Sequence, residues 1–436
     1  MSEQRRDVQQ QDQLQERFVR YARVDTASDH DSPSVPSTPK QLDLQRMLAD
    51  ELRSLGTDDV RLTDYGCVLA TIPATSVSGA EAPTVALLAH VDTSPDFSGQ
   101  GVEPMITRNY DGSPIVLPDA PDRVLDQQTA PELAEKVGET IISASGDTLL
   151  GADDKAGIAI IMTLAERLLA DRSIPHGRLR ICFTPDEEVG RGVENLSLED
   201  LDADVAYTLD GEAPGEITFE SFSADEAVVT IEGVSIHPGK AKDRLVNALT
   251  LAGKLIAALP QHAHTPETTS EREGFIHLSN VEGNAYRAEL RFILRAFELD
   301  ELYGYGEFLR TLVDALARSE PRAHFEVRTR AQYRNMRYWL ENDMRPANLA
   351  IEAIRRAGMT PKIAPIRGGT DGSQLTERGL PTPNLFAGTH NAHGPLEWVS
   401  LEDMVKGVDV CEQLVRLWAE HEQAAGPGAE DETTLG

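Results

Sequence analysis

The sequence predicts an α/β domain that is interrupted by a smaller α+β domain, and three observations lead to this prediction. Up to residue 213, apolar runs of strand length alternate with helical segments, a pattern typical of a largely parallel sheet. From residue 214 to 331, strands surround two helices, and from residue 332 the first pattern returns. The 436 residues also exceed a single ordinary core, which favours two domains.

The elements of the larger domain follow from its apolar runs and from the residues that end them. Helices are predicted for LQRMLADELRSLG (44–56, ended by Gly56), AGIAIIMTLAERLLADR (156–172) and RPANLAIEAIRRAG (345–358). Buried strands are predicted for TVALLAHVD (84–92), GRLRICFTPDE (177–187), DVAYTLDGE (204–212) and TPNLFAG (382–388). Strands that alternate with helices in this way bring several strand ends to one edge of a sheet.

The inserted domain has shorter repeats of strand and helix. Its predicted strands lie in GEITFESFSADEAVVTIEGVS (215–235), YRAELRFILRAFE (286–298) and AHFEVRTRAQY (323–333). Its predicted helices are NALTLAGKLIAALP (247–260) and ELYGYGEFLRTLVDALARS (301–319). Two helices among about four strands form a compact α+β unit.

Both ends of the chain are polar. The first 14 or so residues are rich in glutamine and charge, and residues 423–436 form a polar tail, so we expect both to be disordered. The predicted larger domain therefore comprises residues 1–213 and 332–422, and the predicted insertion comprises residues 214–331.

The composition excludes several classes of partner and location. A net charge of −31 argues against binding to nucleic acids or to anionic membranes. Three scattered cysteines, Cys67, Cys182 and Cys411, form no CxxC pair and suggest neither a disulfide framework nor a cysteine zinc site. No secretory signal is visible, and no apolar run approaches the roughly 20 residues that a membrane span needs. We expect a soluble protein of the cytoplasm.

Three of the predicted strands end in side chains that could bind a metal. His90 and Asp92 follow the first strand, Glu187 and Glu188 follow the second, and Asp210 ends the third. In parallel α/β sheets, binding sites form at the carboxyl ends of the strands. We therefore expect these side chains to converge.

Two further segments add candidates, although each has an ordinary structural explanation. Asp153 and Asp154 begin a helix and could simply cap it. His390 and His393 come late in the chain, and His393 could be a turn residue before a glycine and a proline. A buried histidine at position 90 or a solvated pair of glutamates is equally ordinary when taken alone. It is improbable that every one of these ordinary explanations is correct at the same time.

Imidazole and carboxylate ligands together suit zinc, cobalt or manganese. An aspartate that bridges two ions would give a two-metal hydrolytic site, in which the metals activate water and polarise a carbonyl. The adjacent Glu187 and Glu188 fit such a site, because one can bind metal while the other remains free as a general base.

The motifs HVDTSPD, GADDKAG, TPDEEVG, LDGE and HGPLEW together resemble those of the M20 metallopeptidases, and within them the tripeptide aminopeptidases. The resemblance covers nearly the whole chain between the two tails. It implies a zinc-peptidase catalytic domain with an inserted α+β lid domain, corresponding to the two domains predicted above.

The resemblance also assigns roles to the candidate residues. Asp153 would bridge two zinc ions, Asp92 would orient His90, and Glu187 would be the general base. Asp154 would keep its ordinary role near the helix start. The implied metal ligands are His90, Asp153, Glu188, Asp210 and His393.

In the lid domain, the resemblance implies that His237 helps to stabilise the oxyanion of the tetrahedral intermediate. Arg295 and Arg367 are candidates for binding the substrate, since a guanidinium binds a peptide carboxylate through two hydrogen bonds. An ion pair with a local acid explains either arginine equally well. The chain departs from the family pattern at Pro395 and Leu396, which puts local substrate contacts in doubt, and His390 matches no role.

The expected function is release of the N-terminal residue from tripeptides by a metal-dependent aminopeptidase that uses a metal-bridged water. The alternatives are another M20 activity (dipeptidase, carboxypeptidase or N-acyl amino-acid deacylase) and a non-catalytic peptide-binding relative. The implied cofactors are two Zn²⁺ ions per subunit, with Co²⁺ or Mn²⁺ possible. The implied partners are small peptides and, in a homodimer, a second subunit.

Overall fold

The computed structural model describes the backbone of residues 3–75 and 82–424 and the side chains of residues 9–75 and 82–420. The chain forms two compact units. The larger unit contains the described residues up to Phe219, residues Trp339–Ala364 and the described residues from Thr370 onward. The smaller unit contains Glu220–Tyr338 and Pro365–Gly369.

Both boundaries of the insertion lie slightly later than predicted. The segment after residue 213 stays with the larger unit because its short strand, Glu216–Thr218, pairs within the large sheet. The smaller unit extends past residue 331 because its last strand continues to Tyr333. Residues 365–369 join the smaller unit, where Ile366 forms a β-bridge with Ser221.

The helices vary from one turn to more than six. In chain order they are α1 (Glu3–Ala22), α2 (Gln41–Leu55), α3 (Ala152–Ala170), α4 (Leu198–Leu201), α5 (Ala248–Ala258), α6 (Leu299–Ser319), α7 (Arg337–Leu340), α8 (Arg345–Arg356), α9 (Asp371–Glu377) and α10 (Leu401–Ala424). Short 3₁₀ helices occupy Pro131–Glu135, Pro238–Lys240 and Pro266–Thr268.

The strands form four sheets within the described residues. In chain order they are β1 (Asp58–Leu62), β2 (Val68–Ile72), β3 (Val85–His90), β4 (Met105–Thr107), β5 (Ile115–Val116), β6 (Val124–Leu125), β7 (Ile141–Ser143), β8 (Leu179–Thr184), β9 (Val205–Gly211), β10 (Glu216–Thr218), β11 (Ser223–Glu232), β12 (Phe275–Gly283), β13 (Arg287–Ala296), β14 (His324–Tyr333), β15 (Lys362–Ile363), β16 (Asn384–Phe386), β17 (Thr389–His390) and β18 (Trp398–Ser400).

The sheet that positions the candidate site has eight strands in the order β1-β2-β8-β3-β9-β16-β10-β15. Its central strands β8, β3, β9 and β16 are parallel, as predicted, and antiparallel pairs flank them at β2 and β10. Because these four strands run in one direction, their carboxyl ends lie at one edge of the sheet. The smaller sheet β17-β18-β7-β4 is antiparallel.

The continuous apolar run of β3 is explained by its burial on both faces. Leu87 and Ala89 belong to the main apolar cluster together with α1, α3 and α10, whereas Ala86 and Leu88 belong to a second cluster. Successive side chains of a strand point to opposite faces, so a strand covered on both sides has no polar positions. The first polar side chain of β3 is therefore its last residue, His90.

The smaller unit is the predicted α+β insertion. Its sheet has the order β12-β13-β11-β14 and is antiparallel throughout. From Ala227 onward, every second residue of β11 (Ala227, Val229 and Ile231) is buried in an apolar cluster with residues of α5 and α6. This period of two marks a sheet with one covered face, as the alternation in its sequence predicted.

The prediction of a disordered N-terminus is wrong for residues 3–14, which belong to α1. Leu14, Phe18 and Tyr21 recur at helical spacing and are fully buried, so one apolar stripe stabilises a helix that is otherwise polar. At the other end, α10 continues to Ala424, and residues 425–436 of the predicted tail lie outside the described residues. None of the described helices has the length and hydropathy of a membrane span.

Candidate metal centre

His90 stands at the carboxyl end of β3 with its ring almost completely buried. Its Nε2 lies 2.9 Å from Oδ1 of Asp153 and 3.7 Å from Oδ1 of Asp210. Its Nδ1 lies 3.0 Å from the main-chain oxygen of Asp92 and 3.3 Å from Oδ1 of the same residue. An acceptor at Nδ1 fixes the proton on that nitrogen and leaves Nε2 as the ligand atom.

Asp153 lies between two imidazole rings. Its Oδ1 is turned toward His90, while its Oδ2 lies 3.4 Å from Nε2 of His393. The same Nε2 of His393 lies 3.0 Å from Oε2 of Glu188. The three strand ends and the late histidine therefore converge around one carboxylate, as the sequence predicted.

Asp154 takes the ordinary role expected of it. The backbone of Asp153 and Asp154 is not helical, and Oδ1 of Asp154 accepts the N–H of Gly157 at 3.2 Å, which caps the regular part of α3. Its Oδ2 accepts the N–H of His90 at 3.2 Å. An oxygen of Asp154 also lies within 4.8 Å of ligand atoms of His90 and Asp210, but each of its oxygens already accepts an N–H.

The loop after β8 is held by the carboxylate of Asp92, which is completely buried. Its two oxygens accept the backbone N–H groups of Glu187 at 3.0 Å and of Glu188 at 3.2 Å. Asp92 thus contacts both His90 and the glutamate pair. This arrangement fixes the backbone from which the two adjacent glutamate side chains project.

Asp186 anchors the same loop from the other side. It has a positive φ of 56° and is fully buried. Its carboxylate accepts the N–H of Ser37 at 2.7 Å and the side-chain amide of Gln41 at 2.7 Å, and its own N–H donates to Gln41 Oε1 at 3.1 Å. The segment that begins α2 therefore fixes the backbone that presents Glu187 and Glu188.

We expect the substitution Asp186→Ala to lower the midpoint of urea unfolding. Alanine leaves the buried N–H and hydroxyl of Ser37 without this acceptor, at a cost of about 1–3 kcal/mol each, and removes one of three acceptors of the Gln41 side-chain amide. Far-UV circular dichroism measures the midpoint. Asp243→Ala is the control, since Asp243 also has a positive φ, of 61°, but is exposed. Equal shifts in both variants would show that backbone strain, and not the buried hydrogen bonds, sets the cost.

The donor set suits a divalent metal. Among the described residues, no lysine or arginine forms an ion pair with Asp153, Glu188 or Asp210. The side chains that pair with these carboxylates are the imidazoles of His90 and His393. Oε1 of Glu188 is buried and has no hydrogen-bond partner within the described part of the chain. Buried carboxylates without a cation are costly, so the residues present fit a bound cation.

The pKa values of the site are shifted in the directions expected for several acidic groups held close together. Burial, followed by the nearby Asp153, raises the pKa of the Glu188 carboxyl to about 7 and that of Asp210 to about 6. Hydrogen bonds to Asp153 and Glu188 raise the pKa of His393 to about 11. Burial raises the pKa of Glu187 well above its ordinary value, with Asp210 and Asp371 adding to the effect against the opposing His90. A divalent cation would oppose these shifts, because its positive charge favours ionised carboxylates and a neutral imidazole.

A comparison with known families agrees with this geometry. The profile of peptidase family M20/M25/M40 matches residues 149–417, which is more than half of the chain. The chain belongs to this family. The resemblance inferred from the sequence motifs is thereby confirmed.

Relatives of this M20 chain match over nearly its full length. A protein named peptidase T from Bacillus velezensis is 45% identical over 405 residues, covering 93% of this chain and 98% of the relative. A peptidase T from Geobacillus thermodenitrificans is 43% identical over 406 residues, with 93% and 98% covered.

Solved structures show that the fold is shared. An aminopeptidase PepT from Bacillus cereus has a TM-score of 0.72 at 23% identity, covering 94% of this chain and 99% of that one. A tripeptidase from Staphylococcus aureus has a TM-score of 0.73 at 20% identity, with 94% and 99% covered. The expected catalytic domain with an inserted lid domain is therefore the fold of this M20 member.

The substrate candidates of this M20 chain lie in its smaller unit. His237 is exposed, and its Nδ1 accepts the N–H of Gly239 at 3.1 Å. Arg295 donates through Nη1 to the main-chain oxygen of Leu294 and to Gln332. Within the described residues, Nη2 of Arg295 has no hydrogen-bond partner.

The guanidinium of Arg367 is engaged within the smaller unit. Its Nη1 donates to the main-chain oxygens of Glu271 at 3.0 Å and Glu273 at 2.8 Å. Its Nη2 donates to the main-chain and side-chain oxygens of Thr269 at 3.4 and 2.9 Å. The guanidinium also lies 5.2 Å from the ring centre of Phe222. These contacts use both terminal nitrogens and account for Arg367 without a substrate.

In the part of the chain that the structure describes, His390 forms no hydrogen bond with a candidate metal ligand. Its ring stacks on Trp398 with centroids 4.2 Å apart, and burial lowers its pKa to about 4. The imidazole is therefore a neutral part of the small sheet's core, which agrees with the absence of a matching role in the family pattern.

Sequence reasoning missed three buried carboxyl groups that support the site: Asp186, Asp371 and Glu397. Asp371 accepts the hydroxyl of Thr184 at 2.8 Å, and burial raises its pKa to about 7. The signal for Asp186 and Glu397 was their position inside the motifs TPDEEVG and HGPLEW, and the signal for Asp371 was its place four residues after the candidate Arg367. Their partners are distant in the chain, so the motifs do not reveal what they hold.

Proposed function

We propose that this chain is a metal-dependent aminopeptidase that releases the N-terminal residue from tripeptides. The observation that carries the proposal is the position of Asp153, whose two oxygens face two different imidazoles, those of His90 and His393. A carboxylate in this position can bridge two cations. The relatives named peptidase T, at 43–45% identity over 93% of the chain, support the choice of substrate.

The residues that would hold two zinc ions divide into two sets that share Asp153. His90 and Asp210 lie on one side of it, and Glu188 and His393 lie on the other. Cobalt or manganese could take the same oxygen and nitrogen ligands. When bound, the two ions supply Lewis acidity, which activates a water molecule and polarises the scissile carbonyl.

The protein's own groups would then move the protons. Glu187 makes no ion pair with a lysine or arginine among the described residues, and its carboxyl has a raised pKa for the reasons given above. It would take a proton from the attacking water and pass it to the leaving amine. Asp92 keeps the backbone of Glu187 fixed and orients the ring of His90.

In the smaller unit, we propose that His237 stabilises the oxyanion and that an arginine binds the carboxylate of the tripeptide. Arg295 is the better of the two candidates, because its Nη2 retains free hydrogen-bonding capacity within the described residues while both terminal nitrogens of Arg367 are engaged. A homodimer is a separate expectation of the resemblance, and light scattering after size exclusion tests it.

A panel of peptides tests the proposed reaction. We expect the zinc-loaded protein to release the N-terminal residue of free tripeptides and to leave dipeptides and N-acetylated tripeptides nearly uncut. Liquid chromatography with mass detection identifies the products. Hydrolysis of blocked peptides without cleavage of free tripeptides would indicate another activity of the family, and binding without hydrolysis would indicate a non-catalytic relative.

Removal of the metal should abolish this activity. We expect dialysis against a chelator to reduce tripeptide hydrolysis to the background rate, and added Zn²⁺ or Co²⁺ to restore it, because the ligand set has no other cation. Elemental analysis before and after dialysis gives the number of ions per chain. Full activity in a protein shown to be free of metal would contradict the proposal.

A further inference from the structure

Glu397 is a buried carboxylate that makes three hydrogen bonds to one distant backbone segment. The residue is 1% exposed. Its Oε2 accepts the N–H groups of Leu150 at 2.7 Å and Gly151 at 2.8 Å, and its Oε1 accepts the N–H of Asp153 at 3.0 Å. The carboxylate thus fixes the backbone directly in front of α3.

No basic side chain of the described residues forms an ion pair with Glu397. The three N–H groups stabilise its ionised form and act against the burial that raises its pKa, and the nearby Lys155 adds a favourable charge interaction. Burying a carboxylate is costly unless its oxygens are hydrogen-bonded. The three backbone N–H groups meet this need, so Glu397 and the backbone of residues 150–153 hold each other in place.

The position of Glu397 in the chain connects the two segments that meet at the site. It follows His393 by one short turn, in which the N–H of Glu397 donates to the main-chain oxygen of Gly394 at 3.2 Å. Its carboxylate reaches across 244 residues to the N–H of Asp153. One short segment therefore carries His393 and also holds the backbone of Asp153.

We propose that Glu397 is a positioning residue that sets the direction of the Asp153 carboxylate relative to His393. The inference rests on the proposed function, because it takes Asp153 and His393 as ligands of the metal pair. A bridging ligand must be held to within about 0.5 Å of its working position. Three hydrogen bonds to the backbone of residues 150–153 provide that restraint. Because the Asp153 side chain is attached to this backbone, its position is restrained as well.

The substitution Glu397→Gln tests the proposal with almost no change in volume. Glutamine offers one acceptor oxygen where glutamate offers two, so either Asp153 or the pair Leu150 and Gly151 loses its acceptor and faces an NH₂ group. We expect the dissociation constant for Co²⁺ to rise about 10- to 100-fold, the usual effect of losing a group that orients a ligand. Competition with a coloured chelator measures the constant without any assay of activity.

Kinetics give a second, independent measurement. With the metal-free protein titrated with Co²⁺, we expect the activation curve of Glu397→Gln to move to higher Co²⁺ by the same factor. The KM for the tripeptide should change by less than about twofold, because Glu397 has no contact with the substrate in this proposal. A residue that served only folding would lower the amount of active protein without moving the curve.

The matched control is Glu402→Gln. Glu402 is on the same part of the chain and also accepts a backbone N–H, that of Thr140 at 2.7 Å, but it contacts no candidate ligand. We expect its Co²⁺ curve to coincide with that of the unchanged protein. If Glu397→Gln does not fold by circular dichroism, Glu397→Asp replaces it, since aspartate keeps the charge but is one carbon too short, and the same displacement is expected.

The outcomes separate the inference from the function on which it rests. If the unchanged protein binds no metal pair or cuts no tripeptide, the proposed function fails. If the unchanged protein is active and the curves of both Glu397 variants coincide with its own, the positioning role is overturned and the proposed function stands.

Discussion

Replacing Glu187 with alanine should lower kcat for tripeptide hydrolysis by about 100- to 10,000-fold, the range that a positioned general base contributes. Glu187 is half-buried beside the site, and no lysine or arginine of the described residues forms an ion pair with it. The backbone N–H of Glu187 is fixed by Asp92, a bond that alanine keeps. The substitution therefore removes the proton acceptor and leaves its surroundings in place.

The metal should remain bound in this variant. The candidate ligands surround Asp153, and within the described part of the chain Glu187 forms no hydrogen bond or ion pair with His90, Asp153 or His393. Elemental analysis should find the same number of ions as in the unchanged protein. Glu194→Ala is the control, because Glu194 is exposed on the following turn and should leave kcat unchanged. Turnover that persists in Glu187→Ala would assign the base to another group.

The substitution Asp153→Ala should remove both metal ions together with the activity. Its two oxygens face His90 at 2.9 Å and His393 at 3.4 Å, so the loss of one side chain deprives both ion positions of a ligand. The remaining Glu188 and Asp210 are then buried carboxyls that share no bridging group. We expect fewer than one ion per chain after gel filtration and hydrolysis at the background rate.

Asp147→Ala is the matched control for this variant. Asp147 is exposed on the segment that precedes the site, and its loss should change neither the metal content nor the rate. Two retained ions in Asp153→Ala would show that the ions do not share this carboxylate. The two-metal arrangement would then need a different bridging group.

Much of the candidate site could be predicted from local patterns. A strand that is buried on both faces has no polar residue until it ends, so His90 stands out after the apolar run of β3. Asp210 near the end of β9 stands out as the first charged side chain of that strand. The prediction that several such ends meet needed only the rule that parallel strands share one edge.

Other features depended on packing between distant segments. The polar composition of the N-terminus did not indicate a helix, because Leu14 is its single buried leucine before Phe18. The helix is stabilised by the packing of its buried apolar side chains against the rest of the larger unit. The guanidinium of Arg367 has the chemistry of a substrate ligand. The main-chain carbonyl groups that accept its hydrogen bonds lie more than 90 residues earlier in the chain. Such contacts leave no trace in the residues next to it.

The sequence by itself determined the chemistry of this protein: which imidazoles and carboxylates are available, and on which strand ends they stand. Only the tertiary structure decided their geometry, with Asp153 between two histidines and Glu397 holding the backbone beneath it. The physical reason is range. The burial of a strand determines the polarity of neighbouring residues, so it can be predicted from a local pattern. A hydrogen bond between residues 244 positions apart forms only after the chain has packed.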